Sequence, residues 1–332
     1  MDPYREKDSD PAVLDGRRVI VLGYGNQGRP QALNLRDSGV DVGVAARRGE
    51  RAWEKAAGDG FGPLDVEEGI ESADILLMLL PDEVQPAVFA EKVDGRLPDG
   101  SALCFAHGFT VAFGAVKTGK YDVILVAPKG QGGELRRSYL AGSGLPCLLA
   151  VDSDVSGSAM ETALAIAGGL GCLRTGGFQT SFREEAVSDL FGEQAVLCGG
   201  GTGLVREAGE ILVERGFSPE VGYFEGVQEL KIIVDLFSEK GFGGMRKMIS
   251  GTAAYGGLKY GEKVIGPASV DAMRGIFDRI ESGDFAREWL SPAGEGSEEL
   301  EAMIEEETGL EIESAGRKVR ELYRQDHRDR AD

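Results

Sequence analysis

Positive charge, histidine, cysteine and long apolar runs are all scarce in this 332-residue chain, and each shortage removes a class of function. Lys and Arg total 36 against 56 Asp and Glu, a formal charge of −20, and there is no basic run. That balance excludes binding to nucleic acid through its phosphates and reads as a solubility or salt-adaptation feature. The four cysteines, Cys104, Cys147, Cys172 and Cys198, are scattered through apolar segments without CxxC spacing. Buried free thiols are expected, with neither disulfides nor a zinc site. No apolar run approaches bilayer length, and residues 1–18 are polar and charged, unlike a signal peptide. The expectation is a soluble, cytoplasmic protein with no membrane partner. The 50 glycines have no three-residue period, so they fit the tight strand-to-helix turns of an α/β protein and not collagen.

A chain of this length with 42% hydrophobic residues is expected to build two domains, each with its own core. After a polar lead-in over residues 1–16, RRVIVLGYGNQGRPQALNLRDSG reads as a short apolar strand, a glycine turn and an amphipathic helix. Gly23, Gly25 and Gly28 thus form GxGxxG where the motif has a mechanism, directly after a strand and opening a helix. The first glycine permits the turn, the second lets backbone approach a pyrophosphate, and the third allows close packing. The helix N-terminus then offers unpaired N–H groups to the phosphates.

The second strand, VDVGVAA, runs into RRGERAW, where such folds read either a ribose hydroxyl with an acid or a 2′-phosphate with Arg and small hydroxyl residues. Arg47 and Arg48 suit a phosphate, Glu50 suits ribose hydroxyls, and no Ser or Thr is present; the plain alternative is a solvated turn. A helix over 66–71 precedes the apolar strand ADILLMLLP, after which Asp82, Glu83, Val84 and Gln85 occupy a strand's carboxyl end, where open parallel sheets bind ligands. His107 ends another buried strand and reads either as a polar group beside a nicotinamide or as a satisfied core histidine. Lys129 follows the strand YDVILVAP at the same rim, or else is a surface cation. GLPCLLAVD and GLGCLRTG read as two more strands flanking a helix. The alternation predicts a doubly wound parallel sheet up to about residue 180, followed by long helices. The domains are therefore expected at 1–180 and 181–327.

Within the helices, Asp189 and Glu193, and again Glu225 and Glu229, stand four residues apart and share a helix face. On a surface such acids are simply solvated. The flanking Leu190, Phe191, Ala195, Val196, Leu197, Val227 and Leu230 argue instead for acids facing an apolar bundle, which need a cation between them. All-oxygen ligands without nearby His or Cys favour magnesium.

Taken in order, LGYGNQG, LLPDEVQ, FAHGF, APKG, DLFGEQAVLCGG, YFEGVQELKIIVDL and ISGTAAYG resemble the short class I form of ketol-acid reductoisomerase over about residues 13–325. The resemblance implies a Rossmann-like sheet followed by a knotted, all-α domain. It implies an enzyme of valine, isoleucine and leucine biosynthesis that rearranges 2-acetolactate or 2-aceto-2-hydroxybutyrate and reduces the product with NADH, NADPH or both. Two Mg2+ per site, and homodimers or larger homo-oligomers with shared sites, are also implied. By motif, Asp189 and Glu193 bind magnesium with Glu225 and Glu229 of the partner subunit. Ser250 contacts substrate, and His107 and Lys129 are catalytic. Gly23, Tyr24, Gly25, Asn26, Gln27, Gly28, Arg47, Arg48, Glu50, Ala52, Asp82, Glu83, Val84, Gln85 and Gly132 fall in the cofactor segments. Glu229 is the expected proton carrier.

The chain departs from the family pattern at Arg29-Pro30-Gln31, at Gln131-Gly132-Gly133, and at Gly251 and Ala254 after Ser250. Glu50 and Ala52 stand where the family has phosphate-binding serines, so NADH is expected to serve well. Two competing readings remain: a metal-independent β-hydroxyacid-dehydrogenase-like enzyme, and a nucleotide-binding regulator without activity.

Overall fold

The computed structural model describes residues 2–117, 119–291 and 295–329, with side chains described for all of these except 295–298 and 322–329. Two compact units divide the chain, Met1–Ser188 and Asp189–Asp332.

The first unit is built on β1 (Val19–Leu22), β2 (Val42–Ala45), β3 (Ile75–Met78), β4 (Ala102–Phe105), β5 (Asp122–Pro128), β6 (Cys147–Ser153) and β7 (Gly177–Gln179). They form one sheet in the order β2-β1-β3-β4-β5-β6-β7. Helices α1 (Gly28–Asp37), α2 (Arg51–Gly58), α3 (Val66–Glu71), α4 (Gln85–Val88), α5 (Phe109–Ala112), α6 (Gly132–Leu140) and α7 (Ala159–Gly169) connect them. The strands are apolar throughout because both faces are covered. Val19, Val21, Leu77, Cys104, Ile124 and Leu149 point to the side of Leu35, Leu135 and Ile166. The alternate residues Ile20, Leu22, Leu76, Leu103, Phe105 and Leu125 meet Ile70, Phe89 and Val93 on the other side.

Two features differ from the sequence expectation. The sheet is parallel from β2 to β5, but β6 runs antiparallel to β5 and parallel to β7. The connection through α6 packs back on α1 and returns along the sheet, and so makes no crossover. GLGCLRTG, read as a strand, is instead a 3₁₀ turn at Cys172–Arg174, and the strand begins only at Gly177. Gly171 in the left-handed region (φ 82°) breaks the extended chain there. The lead-in also has a structural task, since Tyr4 exchanges both backbone hydrogen bonds with Gly177 and covers the β7 edge.

α8 (Phe182–Gly192) contains the division between the units, and the second unit is helical: α9 (Gly200–Glu214), α10 (Pro219–Tyr223), α11 (Glu229–Met248), α12 (Gly251–Val264), α13 (Pro267–Glu281), α14 (Asp284–Trp289), α15 (Glu295–Thr308) and α16 (Glu311–Asp329). Gly241, at φ 69°, interrupts α11. Gly209 and Gly316 let α9, α10 and α16 close on one another, since a Cβ at either would strike Ile312 or Tyr223. This unit leaves many large apolar side chains exposed, among them Leu197, Phe217, Ile232, Tyr255, Leu258 and Phe242, the last at 74%. Cys104, Cys147 and Cys172 are buried as expected, but Cys198 is exposed, because it follows the equally exposed Val196 and Leu197. Burial pushes the Cys104 thiol up to about 12, which makes it an inert core filler. Among the described residues no helix is long and apolar enough to cross a membrane.

The sheet's far side is tied by Asp122, whose buried carboxylate accepts from Val155 N (2.7 Å), Ser156 N (2.9 Å) and Ser156 Oγ (2.6 Å) at the entry to α7. Asp122→Ala leaves two backbone donors without their acceptor, and should lower unfolding free energy in urea by roughly 2–4 kcal/mol. A change below about 0.5 kcal/mol would show that water replaces the carboxylate at no cost.

Candidate functional site

The glycine loop leaves β1 with each glycine in a distinct role. Gly23 has φ 101°, and a Cβ there would lie 2.7 Å from Leu79 O. At Gly28 a Cβ would come within 1.9 Å of Gly23 O, so only hydrogen permits α1 to start where it does. A Cβ at Gly25 meets no protein atom, and Gly25 and Asn26 are exposed. This is the side from which a pyrophosphate can approach the N–H groups of the first turn.

The loop is braced from two directions. Gln27 Nε2 donates to Gly130 O (3.2 Å), and Gly132 fits against the loop because a Cβ there would lie 1.7 Å from Asn26 O. On the other flank Tyr24 turns its ring into the core. Its hydroxyl donates to Asp59 Oδ2 (2.9 Å), and Arg29 grips the same carboxylate with Nε (2.6 Å) and Nη2 (2.7 Å). The Arg29 hydrogen bonds hold the Asp59 carboxyl down to about 2, while burial and the Asp59 carboxylate push the Tyr24 phenol well above its usual value. Tyr24 therefore stays protonated and serves as a strut.

After β2, Ala46 N bonds to Leu64 O (3.1 Å) and Leu64 N to Val44 O (2.9 Å), which seats residues 64–65 alongside the strand end. Asp65 precedes α3 but does not cap it; its carboxylate takes Arg48 Nη2 at 3.0 Å. Arg48 also lies over the Trp53 ring, 5.2 Å from its centre. Arg47 reaches Glu50 at 3.5 Å, with both side chains largely exposed, and Ala52 packs inward on the core.

At the ends of β3, β4 and β5 a second group assembles. His107 Nδ1 lies 2.8 Å from Asp82 Oδ2, each side chain about a quarter exposed, and the imidazole stacks on Phe109. Glu83 and Val84 are exposed, whereas Gln85 is buried. Lys129 Nζ donates to Glu185 Oε1 (2.7 Å), and the other oxygen of that carboxylate accepts Gly108 N (2.7 Å). The sequence reading missed Glu185. A signal was present, because Glu185, Asp189 and Glu193 follow one another at four-residue intervals along one helix face.

The remaining acids lie in the helical unit. Glu193 opens a π-helical turn at Glu193–Leu197, and Glu225 lies in a second, Phe224–Gln228, with Glu229 directly after it. Both acid pairs thus sit at π-turns, a distortion that recurs at functional sites because it re-aims side chains along a helix. Asp189 is half-buried, while Glu193, Glu225 and Glu229 are exposed. The expectation of four acids facing an apolar bundle is not met within one chain. Among the described residues no three His, Cys, Asp or Glu side chains come together as a metal site. Ser250 caps α12, its oxygen accepting Ala253 N (3.2 Å).

Residues 13–176 match the family model described as acetohydroxy acid isomeroreductase, NADPH-binding domain, and residues 182–325 match ketol-acid reductoisomerase, C-terminal domain. A ketol-acid reductoisomerase (NADP(+)) of Pyrobaculum calidifontis is 45% identical over 320 residues, spanning 96% of this chain and 98% of that one. One from Methanothermobacter thermautotrophicus is 44% identical over 323 residues, 97% of this chain and 98% of the relative. The solved structure of an NADH-preferring ketol-acid reductoisomerase from an uncultured archean superposes with a TM-score of 0.93 at 40% identity, covering 97% of this chain and 99% of that one.

The Asp59 carboxyl generates a pH prediction. Its folded value is depressed from 3.8 to about 2. The stability it contributes is therefore complete above about pH 4 and is lost as pH falls towards 2. In urea titrations across this window, Asp59→Asn should flatten the decline by up to roughly 2 kcal/mol. Parallel curves for the two proteins would contradict the clamp.

Proposed function

This chain belongs to the ketol-acid reductoisomerase family, and we propose that it catalyses that family's reaction: magnesium-dependent alkyl migration in 2-acetolactate or 2-aceto-2-hydroxybutyrate, then NAD(P)H reduction to a 2,3-dihydroxy-3-methyl acid. The observation that carries the reading is that the family's full set of acids occurs here as two pairs, each at a π-helical turn. Such a set of hard oxygens fits magnesium. Asp189 and Glu193 would hold it together with Glu225 and Glu229 of the partner subunit. This division is supported by the lack of a three-acid cluster within one chain among the described residues, and by the many apolar side chains that one copy leaves exposed.

Magnesium, when bound, supplies Lewis acidity for a carbonyl and for developing alkoxide charge, and the reduced nicotinamide supplies hydride. The chain's own residues bind, orient and manage protons. The glycine loop and the start of α1 receive the pyrophosphate. Ser250 donates its O–H to a substrate oxygen. Lys129, its amine oriented by Glu185, brings positive charge to anionic substrate atoms. His107 and Glu229 are the groups able to exchange protons with substrate.

The dinucleotide's 2′ position would meet Glu50, which repels a phosphate and accepts ribose hydroxyls. Arg48 is shared with Asp65, and Arg47 with Glu50 itself. We therefore place NADH as preferred or used alongside NADPH.

Turnover of 2-acetolactate, followed through nicotinamide absorbance with each cofactor, tests both parts. Activity should require added Mg2+ and vanish on chelation, and kcat/KM with NADH should equal or exceed that with NADPH. Turnover that survives chelation would restore the metal-independent dehydrogenase reading. A strong NADPH preference would overturn the reading of the loop.

A further inference from the structure

His107 is held by a chain of hydrogen bonds that runs back into the core. Asp82 Oδ2 lies 2.8 Å from His107 Nδ1, and Asp82 Oδ1 accepts Gln85 Nε2 at 3.2 Å. Gln85 Nε2 also donates to Leu80 O (2.8 Å), and Gln85 Oε1 accepts from Thr110 Oγ1 (2.8 Å). Gln85 and Thr110 are both buried. Each step has only one sense. The Leu80 carbonyl can only accept, so it fixes which end of the Gln85 amide carries nitrogen. That nitrogen presents a donor to Asp82 Oδ1, and an ionised carboxylate has only acceptors to offer in return. His107 Nδ1 must then carry the hydrogen.

We infer that Asp82 is a positioning residue. Through Gln85 and Thr110 it fixes neutral His107 as the Nδ1–H tautomer, which leaves Nε2, at the opposite edge of the ring, as the nitrogen without a hydrogen. The inference rests on the proposed reaction for what His107 meets, but not for the tautomer itself. Asp82 and Gln85 lie in a segment whose sequence context assigns them to the cofactor. The geometry gives their side chains to His107 instead, and leaves the exposed Glu83 and Val84 at the rim.

Asp82→Asn separates the two roles. An Asn side chain has one acceptor where two donors face it, and Gln85 cannot turn without losing Leu80 O. The new amide nitrogen must therefore face His107 Nδ1, which drives the ring to the Nε2–H form. The chain contains two histidines, His107 and His327, so 15N-histidine labelling of the full-length protein gives two ring systems, and His327→Gln assigns them. At a pH where the rings are neutral, the wild-type protein should show His107 protonated at Nδ1, and Asp82→Asn should show it protonated at Nε2. In Asp82→Asn, kcat should fall on the order of 10–100-fold, as for other residues that orient a functional histidine, with NADH affinity within about twofold of wild type. Thr110→Val, which releases Gln85, should lower kcat in the same direction, and Thr110→Ser should restore it.

A wild-type Nε2–H tautomer would overturn the inference. So would an Asp82→Asn protein with unchanged tautomer, or a loss that falls on NADH affinity with kcat intact. The ring-nitrogen spectra need no turnover, so failure of the tautomer assignment is distinguishable from failure of the ketol-acid reaction.

Discussion

The buried carboxylate of Glu185 is the constraint on which the rim at the ends of β4 and β5 depends. With 1% of its side chain exposed, it would be strongly destabilising without a cation and donors of its own. Lys129 from the end of β5 and Gly108 N from the end of β4 supply both, and so two strand ends are tied to α8 through one side chain. Phe182 closes the joint by packing edge-on to Phe105 on β4. Gly108 has no alternative here, because a Cβ would lie 2.5 Å from Phe182 O and 3.0 Å from Glu185 Oε2. Removing the Lys129 amine leaves the buried Glu185 carboxylate without its cation, a penalty on the order of 3–5 kcal/mol. The position of the Lys129 amine is thus a consequence of stability and not of a flexible side chain finding its place.

The helical unit is under a different constraint. Its interior is small, and residues such as Leu197, Ile211, Phe242, Leu258 and Val264 stay open to solvent in one copy. Burying each is worth roughly 1.5–3 kcal/mol, so a surface of this kind marks a face that gains from being covered. The acids follow the same pattern, since among the described residues no three of them come together as a metal site within one chain. In the proposed dimer a second copy would answer both needs, covering the apolar helices and completing the carboxylate set. The interface and the metal site would then be one structure.

How far the sequence could be read follows from what each feature depends on. The glycine turn was legible because φ and close packing are local demands that only glycine meets at Gly23 and Gly28. The strands were legible because both faces are buried, which leaves unbroken apolar runs. The reversed strand β6 was not, because direction depends on where α6 packs, a tertiary matter. GLGCLRTG misled because its apolar residues hide the left-handed Gly171. The acid pairs could be seen, but a four-residue spacing looks alike on an α-helix and on a π-turn, so the re-aiming of Glu193 and Glu225 could not. Partners distant in sequence were invisible: Asp59 for Tyr24 and Arg29, Asp65 for Arg48, and Asp82 for His107.

The account stands on a carboxylate site shared between two copies, and subunit mixing tests it most directly. Asp189→Asn and Glu229→Gln proteins should each be inactive as homodimers. Co-expressed, they should form mixed dimers in which one site receives both substitutions and the other receives neither. At random assortment about a quarter of the wild-type activity per subunit should return. If the mixture stays as inactive as its parents while mixed dimers are shown to form, each site belongs to a single chain and the account is wrong.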